Sequence, residues 1–113
     1  MTTWRIETGD VLEALRLMPD CSMDALLSDP PYGLGTRQPT VEEIVAYLTG
    51  ADLDTGGDFM SKDWKLPSVA VWRECFRVLK PGAPVLAFGG TRMFDLLFIG
   101  LRAAGFECRD VRT

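Results

Sequence analysis

Short β-prone runs alternate with helical patterns along this 113-residue chain, and this alternation constrains the fold more than any other feature. The β-prone runs cover residues 4–8, 23–28, 84–90 and 106–111. Apolar residues recur at helical spacing between consecutive runs. Because a helix returns the chain to the end of the sheet where the previous strand began, the pattern predicts an α/β fold. Its sheet is expected to contain about four parallel strands with flanking helices and right-handed crossovers.

Four helices are predicted from the residues at their ends. Asp10 and Thr40 each precede a glutamate by three residues, which is the capping-box spacing, and Thr91 is a third predicted N-cap. Pro67 is predicted to begin the third helix and Gly105 to end the fourth. The apolar side chains at helical spacing are predicted to face the core, and they include Val41, Ile44, Val45, Leu48, Phe76, Phe94 and Phe98.

The composition excludes several classes of catalytic and metal site. The chain contains no histidine, which removes Ser–His and Cys–His nucleophile pairs and most zinc sites. Its three cysteines, Cys21, Cys75 and Cys108, match neither a metal-ligand spacing nor a disulfide framework, so reduced thiols and no metal are expected. No apolar run approaches membrane-spanning length, and a cytoplasmic protein with no membrane partner is expected.

Three polar or glycine-containing features follow predicted strands. Gly9 and Asp10 come directly after the first strand, residues 29–32 after the second, and Gly89 with Gly90 at the end of the third. Parallel α/β sheets bind their ligands beyond the carboxyl ends of the strands. The sequence therefore predicts a functional site along this one edge of the sheet.

The segment Asp29-Pro30-Pro31-Tyr32 has the chemistry to bind an amine on an aromatic ring. Each proline fixes φ and lacks an N–H, and a residue before proline is held extended. The Asp29 carboxylate and the Pro30 carbonyl can accept two hydrogen bonds from an exocyclic NH2, while Tyr32 stacks on the ring that bears it. This suits an extruded adenine or cytosine. The alternative is a tight turn in which Tyr32 simply packs.

The stretches GDVLEALRLMPDCSMDALLSDPPYGLG, FMSKDW and RECFRVLKPGAPVLAFGG resemble the amino-terminal part of DNA adenine-N6 methyltransferases. The resemblance is to the permuted, DPPY-first type of phages and prophages, which transfers a methyl group from S-adenosylmethionine. It implies that Asp29, Pro30, Pro31 and Tyr32 form the catalytic tetrad, in which Asp29 and the Pro30 carbonyl hold the target amine and Tyr32 stacks on the extruded base. Stacking needs the ring, so Tyr32→Phe is expected to be mild. It also implies that Gly9, Asp10 and Asp29 border the cofactor, although Asp10 has the alternative role of an N-cap.

Two further segments of that family, a spaced-glycine cofactor loop and the DNA-recognition segment, lie in its carboxyl-terminal part. The resemblance therefore implies that residues 1–113 form a partial catalytic domain with an incomplete, Rossmann-like methyltransferase sheet. Residues 36–66 are predicted to be an irregular insertion or loop region, in which Trp64 either covers the site or packs at the surface. DNA would be bound by the complete enzyme, because a net charge of −4 gives this chain no general attraction for phosphate. A homo-oligomer or a complementing chain that supplies the missing strands is expected.

Two alternatives to DNA methylation remain open from the sequence. One is a non-enzymatic remnant or assembly module that keeps the fold without turnover. The other, weaker one is methyl transfer to RNA or to a protein glutamine, since related tetrads serve those substrates.

Overall fold

A computed structural model of the chain describes residues 3–33, 37–55 and 65–111 as a mixed α/β unit. Its elements in chain order are α1 (Val11–Arg16), β1 (Leu26–Ser28), α2 (Val41–Leu48), α3 (Val69–Val78), β2 (Val85–Ala87) and α4 (Phe94–Ala104). The two strands are parallel, with Leu26 opposite Val85 and Ser28 opposite Ala87. None of the helices in these ranges combines the length and the apolar character that crossing a membrane requires.

The second and third predicted strands are confirmed, and the first and fourth are wrong. Residues 4–8 and 106–111 form no strand, and in the described ranges the sheet consists of β1 and β2 alone. Trp4 is 83% exposed and Ile6 is 81% exposed, so this alternating run packs on nothing apolar. A β-prone run becomes a strand only when a neighbouring strand takes its backbone hydrogen bonds. The four-strand Rossmann-like sheet is therefore reduced to one parallel pair.

The helix ends mostly agree with their local signals. The Asp10 carboxylate accepts a hydrogen bond from the Glu13 N–H at 3.1 Å, which caps α1. Thr40 caps α2 as part of a complete capping box. Gly105 ends α4 with φ at 116°, a left-handed conformation that suits glycine. The predicted cap at Thr91 is wrong, because a turn separates it from α4, which begins at Phe94.

The core lies around α3, which packs against both α1 and α4. Helix α3 buries Val69, Trp72, Cys75 and Val78. The sheet is covered on one face only: Leu26 is half-buried, whereas Leu27, Leu86 and Phe88 are exposed. The fold is therefore a layer of helices on one side of a short parallel pair.

Several predicted core positions are exposed instead. Val41 (72%), Val45 (57%), Phe76 (48%) and Phe94 (45%) all have large exposed fractions. In α2 the buried side chain is Tyr47, which has no exposed surface. Its position depends on a glycine in another helix.

Tyr47 lies across α4 at Gly100. A Cβ on Gly100 would lie 2.7 Å from the Tyr47 hydroxyl oxygen, so only glycine admits the ring at this distance. The hydroxyl donates to the Pro67 carbonyl at 2.8 Å, and burial raises the pKa of Tyr47 to about 12. This contact orients α2, and it explains why the smaller apolar residues Val41 and Val45 face outward.

Arg77 joins α3 to the carboxyl end of α1. Its guanidinium donates to the carbonyls of Leu15 (2.8 Å) and Met18 (2.9 Å) and to the Asp20 carboxylate (2.6 Å). Carbonyls at the end of a helix have acceptor capacity that the helix does not fill, so a cation placed there binds them and opposes the helix dipole. The short α1 is thereby held on α3.

Arg37 and Glu43 join α2 to the loop that follows it. The Arg37 guanidinium donates to both Glu43 carboxylate oxygens, at 2.7 and 2.8 Å, and to the Asp54 carbonyl at 2.7 Å. The hydrogen bond from Arg37, followed by that from the Thr40 backbone N–H, lowers the pKa of Glu43 to about 2. The bidentate pair therefore forms over almost the whole pH range.

This pair predicts a pH-dependent contribution to stability. The unfolded-state pKa of Glu43 is near 4.5 and its folded-state pKa is about 2, so the stabilisation is present above pH 4.5 and lost as the pH falls through 2. Urea unfolding should show that Glu43→Gln lowers the free energy of unfolding at pH 6. The difference between variant and parent should disappear near pH 2. A difference that does not change with pH would contradict the assignment.

Candidate active site

The candidate site begins where β1 ends. The last hydrogen bond of the parallel pair joins the Phe88 N–H to the Ser28 carbonyl at 2.9 Å. Pro30 and Pro31 follow, and because neither has an N–H they cannot extend the pairing. Pro30 is buried, whereas Asp29 and Pro31 are exposed. The chain thus turns off the sheet on a buried proline and leaves the Asp29 side chain at the surface.

Tyr32 is held by two contacts, one at each end of its side chain. Its hydroxyl donates to Asp29 Oδ1 at 2.9 Å. The Cβ and the ring edge of Tyr32 lie against Gly90, where a Cβ would be 3.3 Å from Tyr32 Cδ2 and 3.5 Å from Tyr32 Cβ. Since Gly90 follows β2, the structure brings together the features that end the two paired strands. Tyr32 is half-buried between them.

The electrostatics of this pair define the donor and the acceptor. The hydrogen bond to Asp29, then burial, then the Asp29 charge raise the pKa of Tyr32 above its ordinary value of 10. The phenol is therefore neutral at physiological pH and donates, and the carboxylate accepts. Asp29 and Tyr32 form a hydrogen-bonded pair of side chains at the surface.

Gly33 closes the corner. It is buried and has φ at 70°, a left-handed conformation that glycine adopts without strain. A Cβ here would lie 3.1 Å from Leu66 Cβ, so glycine also allows a close approach to the segment that leads into α3. Sequence reasoning missed this role, and it missed the support that Gly90 gives to Tyr32. A glycine placed directly after the tetrad was the available signal for the first.

Gly9 and Asp10 directly precede α1. Gly9 lines a cavity of about 390 Å3 together with Leu15 and Met23. Met23 precedes β1, and none of residues 29–32 lines this cavity. Asp10 is confirmed as the N-cap of α1, and its carboxylate is exposed. A cofactor role for Gly9 and Asp10 stays a prediction.

Two further predictions about the site concern Trp64 and metal ions. Trp64, predicted to cover the site, lies outside the described residues. Within the described ranges, no group of three or more acidic or cysteine side chains is placed to hold a metal ion.

Comparison with known proteins relates the chain to methyltransferases. It is similar to the Type II methyltransferase M.HpaI of Haemophilus parainfluenzae, at 24% identity over 94 residues, and to the putative methylase YubD of Escherichia coli strain K12, at 27% identity over 103 residues. The chain is a distant relative of methyltransferases. The matched regions cover 83% and 91% of this chain but only 26% and 39% of the two relatives. No protein-family model and no solved structure matches it.

The contact between Tyr32 and Gly90 predicts a specific effect of Gly90→Ala. An added Cβ would lie 3.3 Å from the ring, so the ring must move by a few tenths of an ångström. We expect the ring NMR signals of Tyr32 to shift and the pKa of Tyr32 to fall toward 10 as its bond to Asp29 lengthens. Gly89→Ala is the matched control, because its Cβ would meet Leu97 Cδ2 instead. Unchanged Tyr32 signals in Gly90→Ala would refute the contact.

Proposed function

We propose that this chain carries the base-binding part of a DNA adenine-N6 methyltransferase that uses S-adenosylmethionine. The observation that carries the proposal is the corner at the end of β1, where Asp29 and Tyr32 are joined at 2.9 Å and Tyr32 rests on Gly90, which follows the neighbouring strand. The relation to M.HpaI and YubD supports methyl transfer as the reaction class. Asp29 at the first position of the tetrad favours adenine.

In the proposed mechanism the chain aligns the amine and does not react with it. Asp29 accepts one hydrogen bond from the adenine NH2, and the Pro30 carbonyl accepts the second. When both hydrogens are held by acceptors, the nitrogen lone pair leaves conjugation with the ring and becomes a better nucleophile. Tyr32 stacks on the extruded base. Alignment of this kind requires neither a histidine nor a covalent intermediate.

Gly9 and Asp10, which are two of the predicted cofactor-binding residues, fit one border of a cofactor site. Apart from its two chain neighbours, no heavy atom of the described residues lies within 4 Å of the Cβ position on Gly9, so a ligand can approach its backbone closely. Asp10 Oδ2 caps α1, and the exposed carboxylate can also accept a hydrogen bond from an adenine amine. S-adenosylmethionine supplies an electrophilic methyl group when it is bound. The remaining border of its site is proposed to come from other polypeptide.

The proposed substrate is DNA with its target adenine turned out of the helix, acted on in the cytoplasm. Turning out a base costs a few kcal/mol, which stacking on Tyr32 offsets in part. With a net charge of −4, the chain supplies few phosphate contacts of its own. We therefore propose that a second copy or a complementing chain contributes the main DNA-binding surface.

Binding of free nucleosides tests the proposal directly on the 113-residue chain. Deoxyinosine carries a carbonyl where deoxyadenosine carries the NH2, so it stacks equally well but sets an acceptor against Asp29 and the Pro30 carbonyl. Its N1–H is a single donor on the ring and cannot supply the two hydrogen bonds of the exocyclic amine. In NMR titrations, deoxyadenosine should shift the signals of Tyr32 and Gly90 with a Kd of about 1 mM, and deoxyinosine should bind several-fold more weakly. Asp29→Ala should remove this difference. Equal affinities for the two nucleosides would contradict the proposal.

The matched control for that titration is Asp24→Ala. Asp24 is also exposed, but it lies before β1 and pairs with Lys80 at 2.7 Å, at the other end of the strand. Its removal should leave the preference for deoxyadenosine unchanged. If Asp24→Ala and Asp29→Ala had the same effect, the loss would reflect general charge and not the site.

A non-enzymatic assembly module is the second candidate, favoured by the uncovered face of the sheet. Leu27 is 72% exposed, Leu86 53% and Phe88 49%, whereas parallel sheets are usually covered on both faces. Such a module requires no preference for an amine. The nucleoside titration therefore separates the two candidates.

A further inference from the structure

We infer that the Tyr32 hydroxyl fixes the orientation of the Asp29 carboxylate, which makes Tyr32 a positioning residue for the base amine in addition to a stacking ring. The inference rests on the proposed function and deepens it. Its direct basis is the hydrogen bond from Tyr32 Oη to Asp29 Oδ1 at 2.9 Å. With Oδ1 engaged by the hydroxyl, Oδ2 is the oxygen presented to the amine.

The two prolines explain why Asp29 needs an unusual donor. An aspartate in a turn is ordinarily held by a backbone N–H two residues further on. At that position stands Pro31, and Pro30 precedes it, so neither residue has an N–H to donate. The terminal torsion of an aspartate is otherwise broad, which leaves an exposed carboxylate poorly oriented. The hydroxyl three residues on, at Tyr32, takes the place of the missing backbone donor.

Packing independent of Asp29 places the hydroxyl. The Tyr32 side chain lies on Gly90, and Gly33, the next residue, lies against Leu66. Both glycines admit contacts that a Cβ would crowd. The donor is thus held by the fold on one side while it orients the carboxylate on the other. A ring placed only for stacking would not require its tip to point at Asp29.

The protonation state agrees with this role. The hydrogen bond to Asp29 is the main cause that raises the pKa of Tyr32 above 10, so the hydroxyl keeps its proton and donates throughout the neutral range. The consequence reverses an expectation from the sequence. Tyr32→Phe keeps the ring but should lose the orientation of Asp29, and the substitution should not be mild.

Two measurements on the 113-residue chain test the inference. The first is titration of the tyrosine ring carbons by NMR, in the parent and in Asp29→Asn. Tyr32 should titrate above pH 10 in the parent and closer to 10 in the variant. The chain has two tyrosines, and Tyr47, whose pKa is raised to about 12 by burial, is an internal reference that should not move.

The second measurement compares deoxyadenosine with deoxyinosine in the parent and in Tyr32→Phe. The variant should bind deoxyinosine as the parent does, because the ring is retained. Its preference for deoxyadenosine should fall by about threefold to tenfold, the effect of one hydrogen bond. This split between the two nucleosides distinguishes orientation of Asp29 from a general disturbance of the corner, which would weaken both.

Each outcome decides the inference. An unchanged nucleoside preference in Tyr32→Phe overturns it and leaves the proposed function standing. Identical Tyr32 titration in the parent and in Asp29→Asn also overturns it, without involving any ligand. If the parent itself shows no preference for deoxyadenosine, the proposed function fails and the inference fails with it.

Discussion

Trp72→Ala is expected to unfold much of the chain at 25 °C. Trp72 is 2% exposed and stands in α3, the helix that packs against both α1 and α4. Truncating a buried tryptophan to alanine costs about 3–5 kcal/mol, through lost transfer free energy and the cavity that remains. Since a domain has about 5–15 kcal/mol of stability in total, little is left for a chain with a short two-stranded sheet. Urea unfolding followed by far-UV circular dichroism measures the loss.

Trp72→Phe is the matched control for that measurement. It retains most of the buried volume, and it removes a buried indole N–H that makes no well-formed hydrogen bond among the described residues, although it lies close enough to the Tyr47 hydroxyl to lower the pKa of Tyr47. Removing an unsatisfied buried donor offsets part of the lost packing, so we expect a cost of about 1–2 kcal/mol. Equal unfolding midpoints for Trp72→Ala and the parent would show that α3 is not the centre of the core.

The second large effect concerns activity: the 113 residues by themselves are expected not to methylate DNA. A methyltransferase must enclose the methionine part, the ribose and the adenine of its cofactor. The described residues offer one candidate border, at Gly9 and Asp10, and the cavity that Gly9 lines includes none of residues 29–32. Calorimetric titration with S-adenosylmethionine should therefore show a Kd no tighter than about 1 mM, or about −4 kcal/mol.

A direct assay complements the calorimetry. Purified chain incubated with methyl-labelled S-adenosylmethionine and adenine-containing duplex DNA should transfer no label above background. Micromolar cofactor binding, or label transfer that is lost in Asp29→Ala, would mean that the chain builds a complete donor site. In that case the proposed contribution of other polypeptide would be wrong, while the role of Asp29 would be strengthened.

The features that could be read from the sequence are those made by residues close along the chain. Asp10 caps α1, and Thr40 caps α2, because a side chain and the N–H three residues later meet whatever the rest of the fold does. The turn after β1 is equally local, since two prolines end the pairing by themselves. The hydrogen bond between Asp29 and Tyr32 is also local, because the two residues are three apart. The sequence predicted this segment as the site but did not predict the bond within it.

Contacts between distant segments could not be read in this way. Tyr47 is buried, and Val41 and Val45 are not, because Gly100 in α4 leaves room for one ring at one place. A helical pattern shows which residues share a face but not which face meets another helix. Phe76 and Phe94 are exposed for the same reason, because their helical spacing indicates a shared apolar face but not that this face is covered.

The sequence by itself determined the N-caps of α1 and α2, the positions of the second and third β-prone runs, and the corner that carries Asp29. Only the tertiary structure decided that residues 4–8 and 106–111 stay out of the sheet and that Tyr32 rests on Gly90. The physical reason is whether an interaction forms within one segment or between distant segments. A cap or a proline turn is satisfied within one segment, whereas a strand or a supported ring depends on what the folded chain places beside it.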